Sequence, residues 1–178
     1  MDHFRDGADL MPAVMQQVLA GSGGRTEVLI DRTLGTTFGD MTNGGGLAAA
    51  FDGNTNQAAS AGAAKTSSAI GYVGKTLAAP AIFSRAVIHG SNDQGYINAI
   101  GVNAVVVIMG KQGAAPSNAI DGTNLGSASG IDVADQSAGR TINSNDLATA
   151  WDHIWVRTTS GGGGVSARIA ELVLYELK

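Results

Sequence analysis

The chain has 178 residues, enough for one domain with a sizeable core and too few for two full ones. Its formal net charge is −4 and its pI about 5.2, with no basic patch, which argues against nucleic-acid binding through phosphates. It has no cysteine, which excludes disulfides, thiolate catalysis and cysteine-bound zinc.

The first residues, among them Asp2, His3, Arg5 and Asp6, are polar and show no cationic segment followed by an apolar one, so no secretory signal is expected. Leu10, Met11, Val14, Met15, Val18 and Leu19 recur at helical spacing and predict an amphipathic helix over 9–20, with Asp9 as N-cap and Pro12 in the first turn. Leu10, Val14, Met15 and Val18 are its candidate interface residues. The stripe either caps the chain's own domain or docks on another subunit. Residues 21–24 form a glycine-rich link. Residues 25–32 read as a strand, 33–46 as a loop, and 47–51 lead into the Asp52-Gly53-Asn54 turn. The polar stretch 55–68 has no settled type.

Strands are predicted over 70–74 and 81–89. In the second, Ile82, Ser84, Ala86 and Ile88 share one face, and Phe83, Arg85, Val87 and His89 the other. Residues 90–95 are a turn cluster. Residues 103–109, apolar without interruption from Ala104 to Met109, predict a central strand buried on both sides, and the run is far too short to span a bilayer. A loop over 110–119, a turn at 121–123, a short strand over 125–131 and an outward polar loop over 132–144 follow. Residues 151–159 alternate as a half-buried strand, Gly161 to Gly164 must be a loop, and the last alternating run closes the domain. Strands separated by turn signals, without βα alternation, indicate an antiparallel all-β sandwich over 25–178, preceded by the helix and link over 1–24.

Three segments in order resemble the discoidin, or galactose-binding-like, jelly-roll family. Ala50-Phe51-Asp52-Gly53-Asn54 is similar to that family's Ala-x-Asp-Gly-Asn turn. The run from Phe83 to Asp93 is similar to a strand ending in Gly-Ser-Asn-Asp, and the run from Ile169 to Tyr175 to the closing Ile-Ala-Glu-Ile-x-Leu-Tyr strand. The resemblance covers about residues 25–178. It implies an antiparallel jelly-roll β-sandwich, and it implies a structural calcium on Asp52, Asn54 and Glu171 with nearby backbone carbonyls, a donor set that suits a hard cation. The alternative is an ordinary turn beside an exposed Glu171. The family's Ser or Thr after the Asn, followed by an aromatic, has only Thr55 and Ser60 here, with no Trp. Sugar-binding relatives use exposed aromatics with His, Arg or Asn on end loops. This chain is 5% aromatic; Trp155 reads as core, and Trp151 as core or a loop platform.

No catalytic constellation is present. His3, His89 and His153 lack a recognisable triad context, and no Gly-x-Ser-x-Gly, His-Glu-x-x-His or phosphate-binding loop occurs. Charged residues make up 15% of the chain, well under the roughly 25% of an ordinary soluble domain, and 26 residues are Gly. A small, neutral surface of this kind suits adhesins and virion parts. The expectation is therefore a non-enzymatic structural or attachment component of a phage or phage-like particle (tail, fibre or head decoration). Its partners would be other virion proteins and copies of itself in a homo-oligomer, with no nucleic acid and no membrane insertion. It would be made in the host cytoplasm and located in the virion. The alternative is a carbohydrate-binding module or lectin-like adhesin recognising surface glycans.

Overall fold

The computed structural model describes residues 24–58, 62–68, 70–91, 105–129, 139–159 and 167–178. The expected helix with Leu10, Val14, Met15 and Val18, the glycine loop at 161–164 and most of the 92–104 and 130–138 segments' expected features lie outside these residues.

The strands are β1 (Glu27–Leu29), β2 (Thr36–Gly39), β3 (Asn43–Gly44), β4 (Ala64–Lys65), β5 (Tyr72–His89), β6 (Val105–Lys111), β7 (Thr123–Ser129), β8 (Arg140–Asn143), β9 (Ala150–Thr159), β10 (Arg168–Ile169) and β11 (Glu171–Leu177), with a 3-10 helix at Leu47–Phe51. All ladder pairings between them are antiparallel. One sheet runs β1-β11-β5-β9-β6-β7, with β2 and β8 also on β5; a second runs β10-β4-β3. The fold is the expected antiparallel jelly-roll sandwich.

β5 makes one sheet into two layers. Its first half, up to Thr76, pairs with β2 and β9; its second half, from Ile82, pairs chiefly with β11 and β8. The two strands expected at 70–74 and 81–89 are thus one 18-residue strand. Between Thr76↔His153 and Ala81↔Trp151 the register shifts, so residues 77–80 stand opposite Asp152 alone. A bulge of this kind bends a strand and increases its twist, and it tolerates Pro80, which has no N–H to give a ladder. The principal core lies between the layers and includes Val73, Phe83, Ile108, Leu125, Ile154 and Leu172.

Other boundaries differ from expectation. The 33–46 loop contains β2 and β3, 55–68 contains β4, and the 132–144 loop contains β8. The face assignment in 81–89 is corrected: Phe83, not Ile82, is fully buried. Tyr175 pairs with Arg85 and Glu176 with Phe83, which leaves Ser84 as an extra residue. One extra residue in a period-2 strand switches the side chains beyond it to the other face. β6 is central as expected, between β9 and β7, with Val107 and Ile108 both buried.

Trp155 and Trp151 are core residues. Trp155 belongs to a second cluster with Val107 and Met109, edged by Phe38 at 5.9 Å between ring centroids. Its indole N–H donates to Ala119 O at 2.9 Å, holding the 112–122 loop over the sheet. Trp151 is 6% exposed, so the loop-platform reading is withdrawn. His153 is also buried and fully used. It shares a 2.9 Å hydrogen bond between Nδ1 and Thr76 Oγ1 and a 2.8 Å bond between Nε2 and Gly113 O.

A polar turn held against a buried glutamate

The Asp52-Gly53-Asn54 turn follows the 3-10 helix, whose Phe51 is anchored in the core. Gly53 has φ +87°, a conformation that disfavours side chains. Its neighbours build a local turn: Asp52 Oδ1 accepts from Asn54 N–H at 2.8 Å, and Asn54 Oδ1 from Asn56 N–H at 3.0 Å. Asp52 Oδ2 accepts from Gln57 Nε2 at 2.6 Å.

Glu171 opens β11 and is 1% exposed, not the exposed residue of the alternative reading. Its Oε2 accepts from Gly53 N–H at 2.8 Å. Burial raises its pKa from 4.5 to about 7, and the Asp52 carboxylate adds to the rise. The Gly53 N–H, the Arg32 guanidinium and the Asp52 N–H oppose it.

Arg32 is the cation beside this carboxylate, with Nη1 3.8 Å from Glu171 Oε1. A Cβ added to Gly53 would lie 2.4 Å from Arg32 Cζ, Nη1 and Nη2 alike, so the guanidinium lies flat over the turn. Lys75 sets the position of Arg32. This residue of β5 is buried, and its ammonium donates to the Arg32 and Leu34 carbonyls and lies 5.4 Å from the Phe51 ring centroid. Burial lowers the Lys75 pKa, while the Asp31 carboxylate works in the opposite direction.

The structure therefore brings Asp52, Asn54 and Glu171 to one place, but not as a calcium cage. Calcium takes about six to eight oxygens at roughly 2.3–2.6 Å. Here the Asp52 and Asn54 side-chain oxygens are turned onto the turn's own donors, and the turn offers N–H groups to Glu171. The remaining Glu171 oxygen faces the guanidinium. Among the described residues no group of three or more His, Asp or Glu is arranged to hold a metal. As arranged, the Asp52 and Asn54 oxygens are engaged by the turn's own donors, and Glu171 Oε1 has the Arg32 guanidinium at 3.8 Å but no hydrogen-bond donor among the described residues.

Beside the turn lies an open depression lined by Gly45, Ala48, Ala49 and Gly62 together with Asp52, Asn54, Asn56 and Gln57. Gln57 is 5% exposed, and its Oε1 has no hydrogen-bond donor among the described residues. Gly62 makes room for it: a Cβ there would meet Gln57 Oε1 at 2.8 Å. Arg32 and Lys75 carried no sequence signal, because each acts through a contact across the fold; Gln57 acts locally, on Asp52 five residues before it.

No protein-family model matches the chain, and no curated protein matches it. Solved structures match its fold. The family 32 carbohydrate-binding module of Clostridium perfringens NanJ, solved with galactose, is 19% identical over 85% of this chain and 100% of that one, with a TM-score of 0.59. A Streptococcus pneumoniae fucose-binding module is 14% identical over 84% and 96%, with a TM-score of 0.57. A fucolectin from striped bass (Morone saxatilis) serum is 18% identical over 84% of this chain and 49% of that one, with a TM-score of 0.60. The galactose-binding-like jelly roll is thus the fold of this chain.

Proposed function

We propose that the chain is a non-catalytic carbohydrate-binding domain whose ligand sits in the depression beside the Asp52-Gly53-Asn54 turn. The observation that carries the reading is the composition of that depression. A sugar presents a C–H face, which suits the Ala and Gly of the lining, and hydroxyls, which suit its carboxylate and amides. The fold supports the reading as well, since the neighbours named above are described as galactose- or fucose-binding modules or as a fucolectin. The particle-component expectation rests on composition alone and gains nothing from the fold.

None of the described lining residues is aromatic. At about 0.3 kcal/mol per non-hydrogen atom, a monosaccharide of about 12 such atoms gains roughly 4 kcal/mol, a dissociation constant near 1 mM. Useful affinity then comes from several sugar units or several copies.

A glycan array followed by calorimetric titration of the best glycan tests the proposal. Ala48 is exposed and lines the depression, so Ala48→Trp should fill it and abolish binding without loss of stability. Asn54→Ala should weaken it at least fivefold. An array at background, or binding untouched by both substitutions, would overturn the reading.

A further inference from the structure

We propose that the apolar stripe of residues 9–20 folds back onto its own chain and docks in a groove between the β1–β2 connection and the bulge of β5. The groove has a volume of about 290 Å³ and is lined by Leu29, Leu34, Leu77 and the 78–80 segment. Leu29 and Leu34 are each 54% exposed, and they are two of the five exposed large hydrophobics among the described residues. Ala78, Ala79 and Pro80 are exposed beside them, carried on the bulge that faces Asp152 alone. An exposed apolar patch of this kind on one site marks an interaction surface.

The charges at the rim are already used. Asp31 accepts from Thr33 N–H at 2.8 Å and from Thr33 Oγ1 at 2.7 Å, and Lys178 is 3.1 Å from Glu176. The groove therefore asks for an apolar occupant. Its position selects one. The chain enters the described structure at the groove's edge, where Thr26 and Lys178 exchange backbone hydrogen bonds at 2.7 and 2.9 Å and Lys178 lines the groove. Before that point come residues 21–24, which span roughly 13 Å when extended. Before those lie Leu10, Val14, Met15 and Val18, on a predicted helix of about 18 Å. A short tether holds its segment at an effective concentration of about millimolar, which favours the chain's own groove over that of a second copy.

The absence of cysteine makes the test direct. Full-length Val14→Cys/Ala79→Cys, treated with a short bismaleimide, should give an internally linked monomer. Moving the first cysteine to the polar face, in Gln16→Cys/Ala79→Cys, should cut the yield at least fivefold. A linked dimer would assign the groove to a second copy and overturn the proposal, as would no link or equal yields. Hydrogen exchange on the intact chain gives an independent readout. Residues 10–19 should be protected at least tenfold, and Leu34→Asp, at an exposed position, should remove that protection. Wild-type residues 10–19 exchanging at unstructured rates would also overturn it.

Discussion

Glu171 should make the protein less stable as pH rises through neutrality. Its carboxyl titrates near 7 in the folded chain against 4.5 in the unfolded one, chiefly because it is buried. The folded state therefore binds more protons than the unfolded state between those values. The resulting stability is fully present below about 4.5 and is lost as pH rises through about 7. At 1.36 kcal/mol per unit the gap corresponds to at most roughly 3 kcal/mol, and about 2 kcal/mol is a fair expectation because Asp52 and half of Arg32 face water. Other titratable or charged groups around it are Asp52, Arg32, Lys75 in the same small cavity, and His89 opposite it on β5. The assay is urea unfolding at intervals from pH 4.5 to 8 in chelator, followed by the fluorescence of the buried Trp151 and Trp155. Wild type should lose about 2 kcal/mol across the range. Glu171→Gln keeps the shape and an acceptor for the Gly53 N–H, and should flatten the curve. A flat wild-type curve, or the same slope in the variant, would refute the assignment to Glu171.

The other expectations concern the groups that hold this site and the sheet. Because Arg32 is the cation at Glu171, millimolar calcium or chelator should leave the melting temperature unchanged; a calcium-dependent rise would show that the turn rearranges around the ion. Arg32→Ala should cost up to about 1 kcal/mol at pH 8 and almost nothing at pH 5, where Glu171 is protonated, as read by the same urea series. His153→Ala removes both ring hydrogen bonds and leaves a cavity, so unfolding free energy should fall by about 2–4 kcal/mol. Gly74→Ala should cost about 2 kcal/mol or more in the same measurement, because its Cβ would stand 2.2 Å from Trp155 Cβ and 2.5 Å from Ile154 O, where β5 and β9 are paired.

The sandwich was legible because its strands carry the period of two and its turns carry Gly, Asn and Asp. In β6 the continuous apolar run and the burial on both faces agree, whereas β9, read as half-buried, is buried on both faces from 153 to 156 because a second cluster around Trp155 covers its other side. The continuity of β5 was not legible. Residues 77–80 are Leu-Ala-Ala-Pro, of weak strand propensity, and it is the pairing of β2 and β9 on one side and β11 on the other that carries the strand through them. The Ser84 bulge was invisible for a related reason: it is a property of the β5–β11 register, not of either strand alone. β2, β3, β4 and β8 have two to four residues each, too few to establish a period.

The same distinction decides the site. That Asp52-Gly53-Asn54 and Glu171 are neighbours was implied by the resemblance to the galactose-binding-like family, since the turn and the closing strand match its segments. What lies between them could not. A carboxylate facing backbone carbonyls calls for a cation, whereas one facing backbone N–H groups is already partly neutralised. At Glu171 the Gly53 N–H supplies the second environment, and the remaining oxygen looks at a guanidinium. The backbone that carries that guanidinium is held by Lys75, some forty residues away in sequence and on the strand that joins the two layers. The polarity of the contact is therefore fixed by the fold as a whole. Asp52 also links the two parts of the site: it raises the Glu171 pKa and lines the depression proposed to take a sugar.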